Sequence, residues 1–471
     1  MSKWLLKMKN LKNKIAIFLA SILTLANATH AAPNDTSDFF LNANMQEANL
    51  AQKEAKATEL QLESVLRANT QSGKTLSELL KSAENNYSLQ GQKLLDTQAQ
   101  RDYLVSQLAF IPTLDGKYNF SKTSTSANFG YQSQNFQLAF NWTLDYATYE
   151  AMREKGATAK KANYDTQYAR QSVYLQVVQQ YYTYFNNESS LITLQQKLAQ
   201  IQSDVDRVQK LYDQGLRTIA DLESLKSQAA TTKYEIDNAT LALIQSKLML
   251  EYLTNEKIDG LKRTNMQDPS LELNDRSDIK SLEFQIKALK HQNAQLHYYP
   301  SFTLQDTYTY NAQVPDFVTQ MMAQGGGSAG LLANYATHNN VFGMNVTYQI
   351  FAKIGLSVQK QSFRLATIAN EKNLAYKKAE QKKDEELYRK AIEVAKNQIN
   401  SAKASLISAN LSYDNMKKRY DANLVTFTEY LTALSTKYDA ESTFIQALNN
   451  YEIQKANYIF YSGQDIEKYV K

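Results

Sequence analysis

Cysteine and histidine, which often act as nucleophiles, bases or metal ligands, are absent and scarce respectively in this chain of 471 residues, and the histidines are scattered along it. The chain has no cysteine, which excludes a thiolate metal site and a disulfide framework. No histidine has partner acids at ligand spacing, so we expect no metal site. Walker and dinucleotide motifs are absent, and no nucleophile, base and orienting acid can be combined, so we expect no catalytic residue and no cofactor. The four histidines are His30, His291, His297 and His338.

The charge distribution gives no sign of a nucleic-acid-binding surface. The formal net charge is +5, but five lysines and no acid lie within the first 14 residues, so the remainder is close to neutral. The charged stretch 377–386 is predicted to be a solvated face of a long helix with i,i+4 pairs. We therefore expect no nucleic-acid partner.

The first residues have the order of a Sec signal peptide. The basic segment is followed by the apolar run Ile15–Leu25 and then by small residues up to Ala32. This order predicts a signal peptide over residues 1–31, with the mature protein starting between Thr29 and Pro33. The alternative to a cleaved signal peptide is an uncleaved membrane anchor. After this segment no run approaches the roughly 18 apolar residues of a spanning helix, so only a β-barrel could carry the chain across a bilayer.

An internal repeat relates two parts of the chain at a shift of 208 residues. Apolar residues recur with alternating spacings of three and four in both copies, and the phase of the pattern is the same in each. This spacing is typical of the a/d seam of a coiled coil. The two seams are Leu191, Leu194, Leu198, Ile201, Val205, Val208 and Tyr212, and Ile399, Ala402, Leu406, Ala409, Tyr413, Met416 and Tyr420.

Each copy is predicted to be a hairpin of two long antiparallel helices. The first arms extend from about residue 146 to 213 and from about residue 352 to 421, with no proline inside either arm. At 1.5 Å per residue each arm is about 100 Å long. The chain turns at tips 213–217 and 421–425, and the return arms end near Asn255 and Gly463, which suit a left-handed cap.

A pair of alternating segments precedes each long arm. Apolar and polar residues alternate with a period of two, which predicts β-hairpins over residues 113–145 and 301–351. Asp306 interrupts the apolar face of the third strand, and Pro112 and Pro300 each stand just before a first strand. Four strands cannot close a barrel around water, so closure requires several chains, and three would supply twelve strands. A small soluble sandwich on a coiled coil is the alternative.

From about Thr75 to its end, the sequence resembles the TolC family of outer-membrane efflux proteins. The resemblance rests on the doubled tips Tyr212–Leu216 and Tyr420–Leu424, each followed by an acid, together with the strand-entry segments Phe110–Leu114 and Tyr299–Phe302. The resemblance implies a mostly α fold with a small β portion, in which a homotrimer forms a twelve-stranded barrel in the outer membrane and an α-helical tunnel across the periplasm.

The same resemblance implies a passive exit duct in a tripartite efflux or type I secretion system. Its partners would be a periplasmic adaptor, an inner-membrane pump of RND, ABC or MFS type, and outer-membrane lipid. The sequence does not specify the pump or the substrate. The expected domains are a signal peptide at 1–31, an N-terminal helical extension of unknown role at 33–74, repeats at 75–255 and 279–463, a linker at 256–278 and a tail at 464–471.

The resemblance also assigns roles to the two tips. Family tips contact the adaptor, which transfers here to Gly215 with Leu216 and to Asn423 with Leu424. The family usually has glycine at both turns, and Asn423 departs from that pattern, although asparagine tolerates a positive φ better than most residues. The alternative is that both positions only turn the chain.

A gate is implied at the second tip. The family has two acids three residues apart there, which correspond to Glu429 and Thr432, so one carboxylate ring is expected and the second is absent. Asp221 and Tyr420 match the acid and tyrosine that hold the entrance shut, whereas the family's arginine position is Val425. The alternatives are an exposed surface acid at Glu429 and a packing role for Tyr420.

Two other classes of protein fit parts of the pattern. A secreted coiled-coil fibre or adhesin fits the seams but not the strand pairs. A periplasmic adaptor subunit usually has one helical hairpin flanked by β domains, whereas this chain has two hairpins and ends on a helix.

Overall fold

The computed structural model describes residues 73–124, 130–325, 336–348, 355–422 and 424–470. The predicted signal peptide, nearly all of the N-terminal extension and Asn423 lie outside the described residues. The described chain is mostly helical with one small sheet, as predicted.

Eight helices and four strands follow one another within the described residues. The helices are α1 (Leu76–Ala83), α2 (Tyr87–Leu108), α3 (Tyr146–Asp213), α4 (Ile219–Thr254), α5 (Ser277–Gln295), α6 (Asp316–Ala323), α7 (Leu356–Asp421) and α8 (Phe427–Tyr461). The strands are β1 (Thr113–Ser124), β2 (Gly130–Leu144), β3 (Ser301–Gln313) and β4 (His338–Thr347), and a 3₁₀ turn follows at Ile466–Tyr469.

The two longest helices are α3, with 68 residues, and α7, with 66 residues. At 1.5 Å per residue each is about 100 Å long. The side chain of Asp145 caps the start of α3 by accepting a hydrogen bond from the backbone N–H of Ala147. The predicted bounds of α3 are confirmed. The second long arm was predicted from residue 352, but residues 349–354 lie outside the described residues, and the helix is described from Leu356.

The two predicted seams differ in burial. In α7 the predicted positions Ala402, Leu406, Ala409, Tyr413 and Tyr420 are all buried. In α3 only two of the seven predicted positions, Ile201 and Val208, are fully buried, and the buried stripe instead includes Thr193, Lys197 and Asp204. The prediction of a uniform apolar seam was therefore wrong for α3, because this helix packs against α8 of the other hairpin as well as against α4.

The linker between the repeats, residues 256–278, is held in place by the buried ammonium group of Lys455. The ammonium of Lys455 in α8 donates to the backbone oxygen of Met266 at 2.7 Å and lies 2.9 Å from the carboxylate of Glu452. At the end of α8, Gly463 has φ +75°, and a Cβ atom there would lie 2.2 Å from the carbonyl oxygen of Asn274. This glycine is therefore required both for its backbone conformation and for the close approach of the linker.

The four strands form an antiparallel sheet in the order β1-β2-β3-β4. The strands of the first hairpin reach Ser124 and restart at Gly130, so the connection is shorter than the predicted linker 122–134. The predicted third strand is confirmed, and Asp306 lies on the apolar face between Phe140 and Phe342. No helix among the described residues is long and apolar enough to cross a membrane.

Candidate functional site at the hairpin tips

The first tip closes with a Schellman motif. The N–H of Leu216 donates to the carbonyl of Leu211 at 2.8 Å, and the N–H of Gly215 donates to the carbonyl of Tyr212 at 2.8 Å. Gly215 has φ +75°, which only glycine adopts without strain. The side chain of Leu216 is exposed beyond the turn. The tip therefore presents an apolar side chain on a rigid turn.

The second tip also has the 6→1 hydrogen bond of the Schellman motif. The N–H of Leu424 donates to the carbonyl of Arg419 at 2.8 Å, at positions equivalent to Leu216 and Leu211. Leu424 is also exposed. Asn423, the predicted left-handed residue, lies outside the described residues.

The acids that follow the tips occupy the same position of their helices. Thr218 and Thr426 are the N-caps of α4 and α8, and Asp221 and Glu429 are the third helical residues. Glu429 completes a capping box, because its carboxylate accepts from the backbone N–H of Thr426 at 2.7 Å. These hydrogen bonds hold the pKa of Glu429 below its usual value. The box is present in α8 and not in α4.

Glu429 and Thr432 share an exposed face of α8, as their spacing requires. The hydroxyl of Thr432 donates to the carbonyl of Thr428 at 2.9 Å, within its own helix. Both side chains are therefore open to solvent within one chain.

Tyr420 lies in an aromatic cluster between the hairpins. Its ring stacks on Tyr430 with centroids 4.9 Å apart and an interplanar angle of 12°. The guanidinium carbon of Arg217 lies 4.6 Å from the centroid of the Tyr420 ring. Burial raises the pKa of Tyr420, and Asp221 is among the acids that raise it further. The Tyr420 hydroxyl is buried and makes no hydrogen bond within the described part of the chain.

An ion pair that the sequence analysis missed links the two hairpins beside this cluster. Arg207 of α3 lies 2.5 Å from the carboxylate of Asp421 at the end of α7, and 3.3 Å from the carboxylate of Asp204. Asp204 is buried and accepts from the Tyr430 hydroxyl at 2.7 Å. Burial and this acid raise the pKa of Tyr430. The arginine thus compensates a buried carboxylate and joins α3 to α7.

No sequence signal pointed to Arg207, because its partner Asp421 is 214 residues away in the chain. The only local hint is the i,i+3 spacing of Asp204 and Arg207 within α3, and such pairs are common on solvated helix faces. The buried polar stripe of α3 became recognisable only from the packing of the hairpins.

Two of the histidines, His291 and His297, have acidic partners that come from elsewhere in the chain. His291 Nδ1 lies 2.7 Å from the carboxylate of Glu150, and His297 Nε2 lies 3.1 Å from that of Asp145. Spacing in the sequence did not reveal these pairs, because α5 packs along α3. Among the described residues, no group of three or more histidine and acidic side chains could hold a metal ion.

Comparisons with known proteins identify relatives of this architecture. The family profile described as "Outer membrane efflux protein" matches residues 78–256. A sequence comparison with curated proteins finds no significant match. Among solved structures, the chain is similar to the CmeC outer membrane channel of Campylobacter jejuni, with a TM-score of 0.71, 18% identity and coverage of 83% of this chain and 86% of that one.

Two further structures give the same result. The outer membrane protein VceC of Vibrio cholerae has a TM-score of 0.69 and 15% identity, with 83% of this chain and 96% of that chain covered. The open state of the MtrE outer membrane channel of Neisseria gonorrhoeae has a TM-score of 0.63 and 17% identity, with 83% and 89% covered. At these identities the likeness establishes the fold.

Proposed function

We propose that the chain is a member of the outer membrane efflux protein family and the exit channel of a tripartite export system, because residues 78–256 match the family profile and the described chain has the fold of solved outer membrane channels. The observation that carries the proposal is the doubled unit of a β-hairpin followed by a helical hairpin about 100 Å long. Such a unit places strands at one end and helix tips at the far end of one chain.

The sheet supports assembly into a trimer. The strand order leaves one unpaired edge at β1 and one at β4 within this chain, and unpaired edges tend to pair with the edge of another chain. The apolar residues Phe136, Leu138 and Phe140 are exposed on one face of β2. Pairing β1 of one copy with β4 of the next satisfies the edges, and three copies give a twelve-stranded barrel whose apolar face contacts lipid.

The location follows from the same reasoning. A cleaved signal peptide would deliver the chain to the periplasm, the barrel would sit in the outer membrane, and the helices would extend back toward the inner membrane. In this arrangement the exposed tips, with Leu216 and Leu424, face a periplasmic adaptor and the inner-membrane pump. The turns at Gly215 and Asn423 position these leucines.

We propose that the entrance is held closed by the cluster around Tyr420. The ion pair of Arg207 with Asp421 supplies an arginine to this link in place of the family's arginine, which is Val425 here. Asp221 lies close enough to raise the pKa of Tyr420, whose hydroxyl is buried and makes no hydrogen bond within the described part of the chain, so a link from this hydroxyl to a neighbouring copy requires the cluster to rearrange on assembly. Tyr420→Phe tests this arrangement: a link between copies predicts more frequent opening, whereas a pure packing role predicts no change.

Glu429 is proposed to form a ring of three carboxylates at the entrance. Within one chain its pKa is lowered by the capping bonds, and three like charges facing one axis would oppose that effect. Glu429→Gln keeps a side chain able to form the capping box and removes the charge. We expect weaker block by multivalent cations from the periplasmic side and less cation selectivity, with Thr432→Ala as the control. If multivalent cations block Glu429→Gln as strongly as wild type, the proposed ring of carboxylates is wrong.

The whole proposal is tested with the full-length mature protein in detergent and in planar bilayers. We expect a stable trimer by light scattering and ion currents after insertion. A stable monomer without currents would favour the fibre or adhesin reading, and a soluble protein that binds an inner-membrane pump directly would favour an adaptor subunit. Heat-denatured protein is the control for currents from contaminants.

A further inference from the structure

The two faces of the sheet differ in polarity, and along β2 they also differ in exposure. Along β2, Phe136, Leu138 and Phe140 are exposed, whereas Gln137 and Ala139 on the other face are only half-exposed. In a closed barrel the polar side lines the lumen and the apolar side faces lipid.

The register of the strands identifies the residues on the polar side. They are the odd-numbered residues of β1, of β2 from Ser133, of β3 up to Asn311, and of β4. Amides and hydroxyls dominate this set. Among these residues only Asp115 and Lys117 are charged.

The two charges are neighbours on the edge strand β1. Residues two apart on one strand face are about 7 Å apart. The Asp115 carboxylate accepts a hydrogen bond from the amide of Asn141 at 3.5 Å. The residues aligned with them across the sheet are neutral: Ala139, Thr307 and Val341 beside Asp115, and Gln137, Thr309 and Asn339 beside Lys117. No counter-charge therefore lies in either row.

The position of the pair along the strand is also defined. β1 begins at Thr113, soon after α2 ends, and its far end at Ser124 leads to the connection between the first two strands. Asp115 and Lys117 are thus close to the helical end of the sheet. In the barrel they lie where the helical tunnel opens into the lumen.

We propose that Asp115 and Lys117 form two adjacent rings of opposite sign that together leave the barrel lumen without a charge preference. This inference rests on the trimeric barrel proposed above, in which each ring has three charges. Rings of charge attract ions of the opposite sign. Because the rings are separated by less than the Debye length of about 8 Å at physiological salt, they offset each other. The exit segment therefore accepts cationic, anionic and neutral polar solutes, and charge discrimination is left to the entrance.

The test is the reversal potential under a salt gradient in planar bilayers. Asp115→Asn leaves the positive ring and should lower the cation-to-anion permeability ratio, whereas Lys117→Gln should raise it, each by about two-fold from the Coulomb energy of one charge at this range in water. The double variant should return to the wild-type ratio. Lys122→Gln is the matched control, because Lys122 lies on the same strand but on the apolar face.

Each variant is measured twice, once with an unchanged entrance and once in combination with Arg207→Ala. Arg207→Ala is expected to loosen the entrance, so that the barrel contributes a larger share of the electrical resistance of the channel. Trimer formation by light scattering confirms assembly. If neither single variant moves the ratio in either background, or if both move it in the same direction, the inference is wrong while the channel function stands. If wild type itself gives no current, the proposed function fails first.

Discussion

The two hairpin tips share a local sequence pattern but differ in what they contact. Tyr212 and Tyr420 are equivalent at the shift of 208 residues, yet Tyr212 is 39% exposed and Tyr420 is 2% exposed. The equivalent acids differ in the same way: Asp213 accepts from Gln209 on its own helix at 2.9 Å, whereas Asp421 pairs with Arg207 of the other hairpin.

Within the described residues, the second tip contacts the other hairpin through its own tyrosine and aspartate, and the first tip does not. The first tip contributes the cations, Arg207 and Arg217, which lie over the Tyr420 ring. The two repeats therefore present complementary surfaces at their tips: arginines from the first hairpin and the ring of Tyr420 from the second. The acids after the tips differ too, because Glu429 reaches back to cap its helix and the shorter Asp221 does not.

The largest difference is expected when the two tyrosines are truncated. Tyr420→Ala removes a buried ring from a stacked cluster and should lower the free energy of unfolding by about 3–5 kcal/mol, as for other large aromatic truncations. Tyr212→Ala, at the exposed equivalent position, should cost less than about 1 kcal/mol. Guanidinium unfolding of the detergent-solubilised protein measures both. Equal losses would show that the tips are equivalent after all.

The turn of the first tip gives the next effect. Gly215→Ala should cost about 1–2 kcal/mol, because φ +75° is strained for a residue with a Cβ atom, and no atom within 4 Å adds a clash. Gly215→Asn, the residue type of the second tip, should cost less, since asparagine tolerates this region. The same unfolding experiment ranks the variants. A larger loss for asparagine than for alanine would mean that polarity, not backbone strain, limits this turn.

Variants of the two equivalent aspartates, Asp421 and Asp213, should differ more in channel opening than in the free energy of unfolding. Asp421→Asn breaks an exposed link between hairpins and should cost about 0.2–1 kcal/mol, while raising the open probability in bilayer recordings. Asp213→Asn removes the same charge one repeat earlier and should leave the open probability unchanged, because its partner lies on its own helix. An equal increase in both variants would assign the effect to surface charge.

The smallest effect concerns the pH dependence of the second tip. The pKa of Glu429 is lowered in the folded protein, so its contribution to stability is present above the pKa of the unfolded chain and is lost as the pH falls through the folded pKa. Wild type should therefore be slightly more stable than Glu429→Asp near pH 7, because aspartate is too short for the capping bond. The two should converge in the acid range. Thermal unfolding at several pH values measures this, and a constant difference across the range would contradict it.

Much of the fold followed from local patterns. The absence of proline and the heptad spacing predicted α3, with the bounds that the structure has. Alternation predicted all four strands, although β4 begins at His338, earlier than its apolar residues indicated, because pairing with Tyr310 extends the ladder beyond them. The burial of polar positions in α3 was not predicted, since a helix that packs against several other helices buries positions that a single seam leaves exposed.

The candidate site divides in the same way. Turn chemistry predicted the positions of the two tips, and the family resemblance assigned roles to Gly215, Leu216, Leu424 and the two acids that follow; those roles stay predictions. Arg207 and the cross-hairpin use of Asp421 were missed, because charged residues have no periodic signature and these two are far apart in sequence.

The helices, the strand alternation, the turns and the capping residues follow from local sequence, because each depends on neighbours within a few positions along the chain. The burial of one copy of each repeated residue and the acids that pair with Arg207 and His291 depend on how the hairpins pack. The physical reason is that the two repeats have the same local pattern but different neighbours in space. Burial and ion pairing are properties of those neighbours.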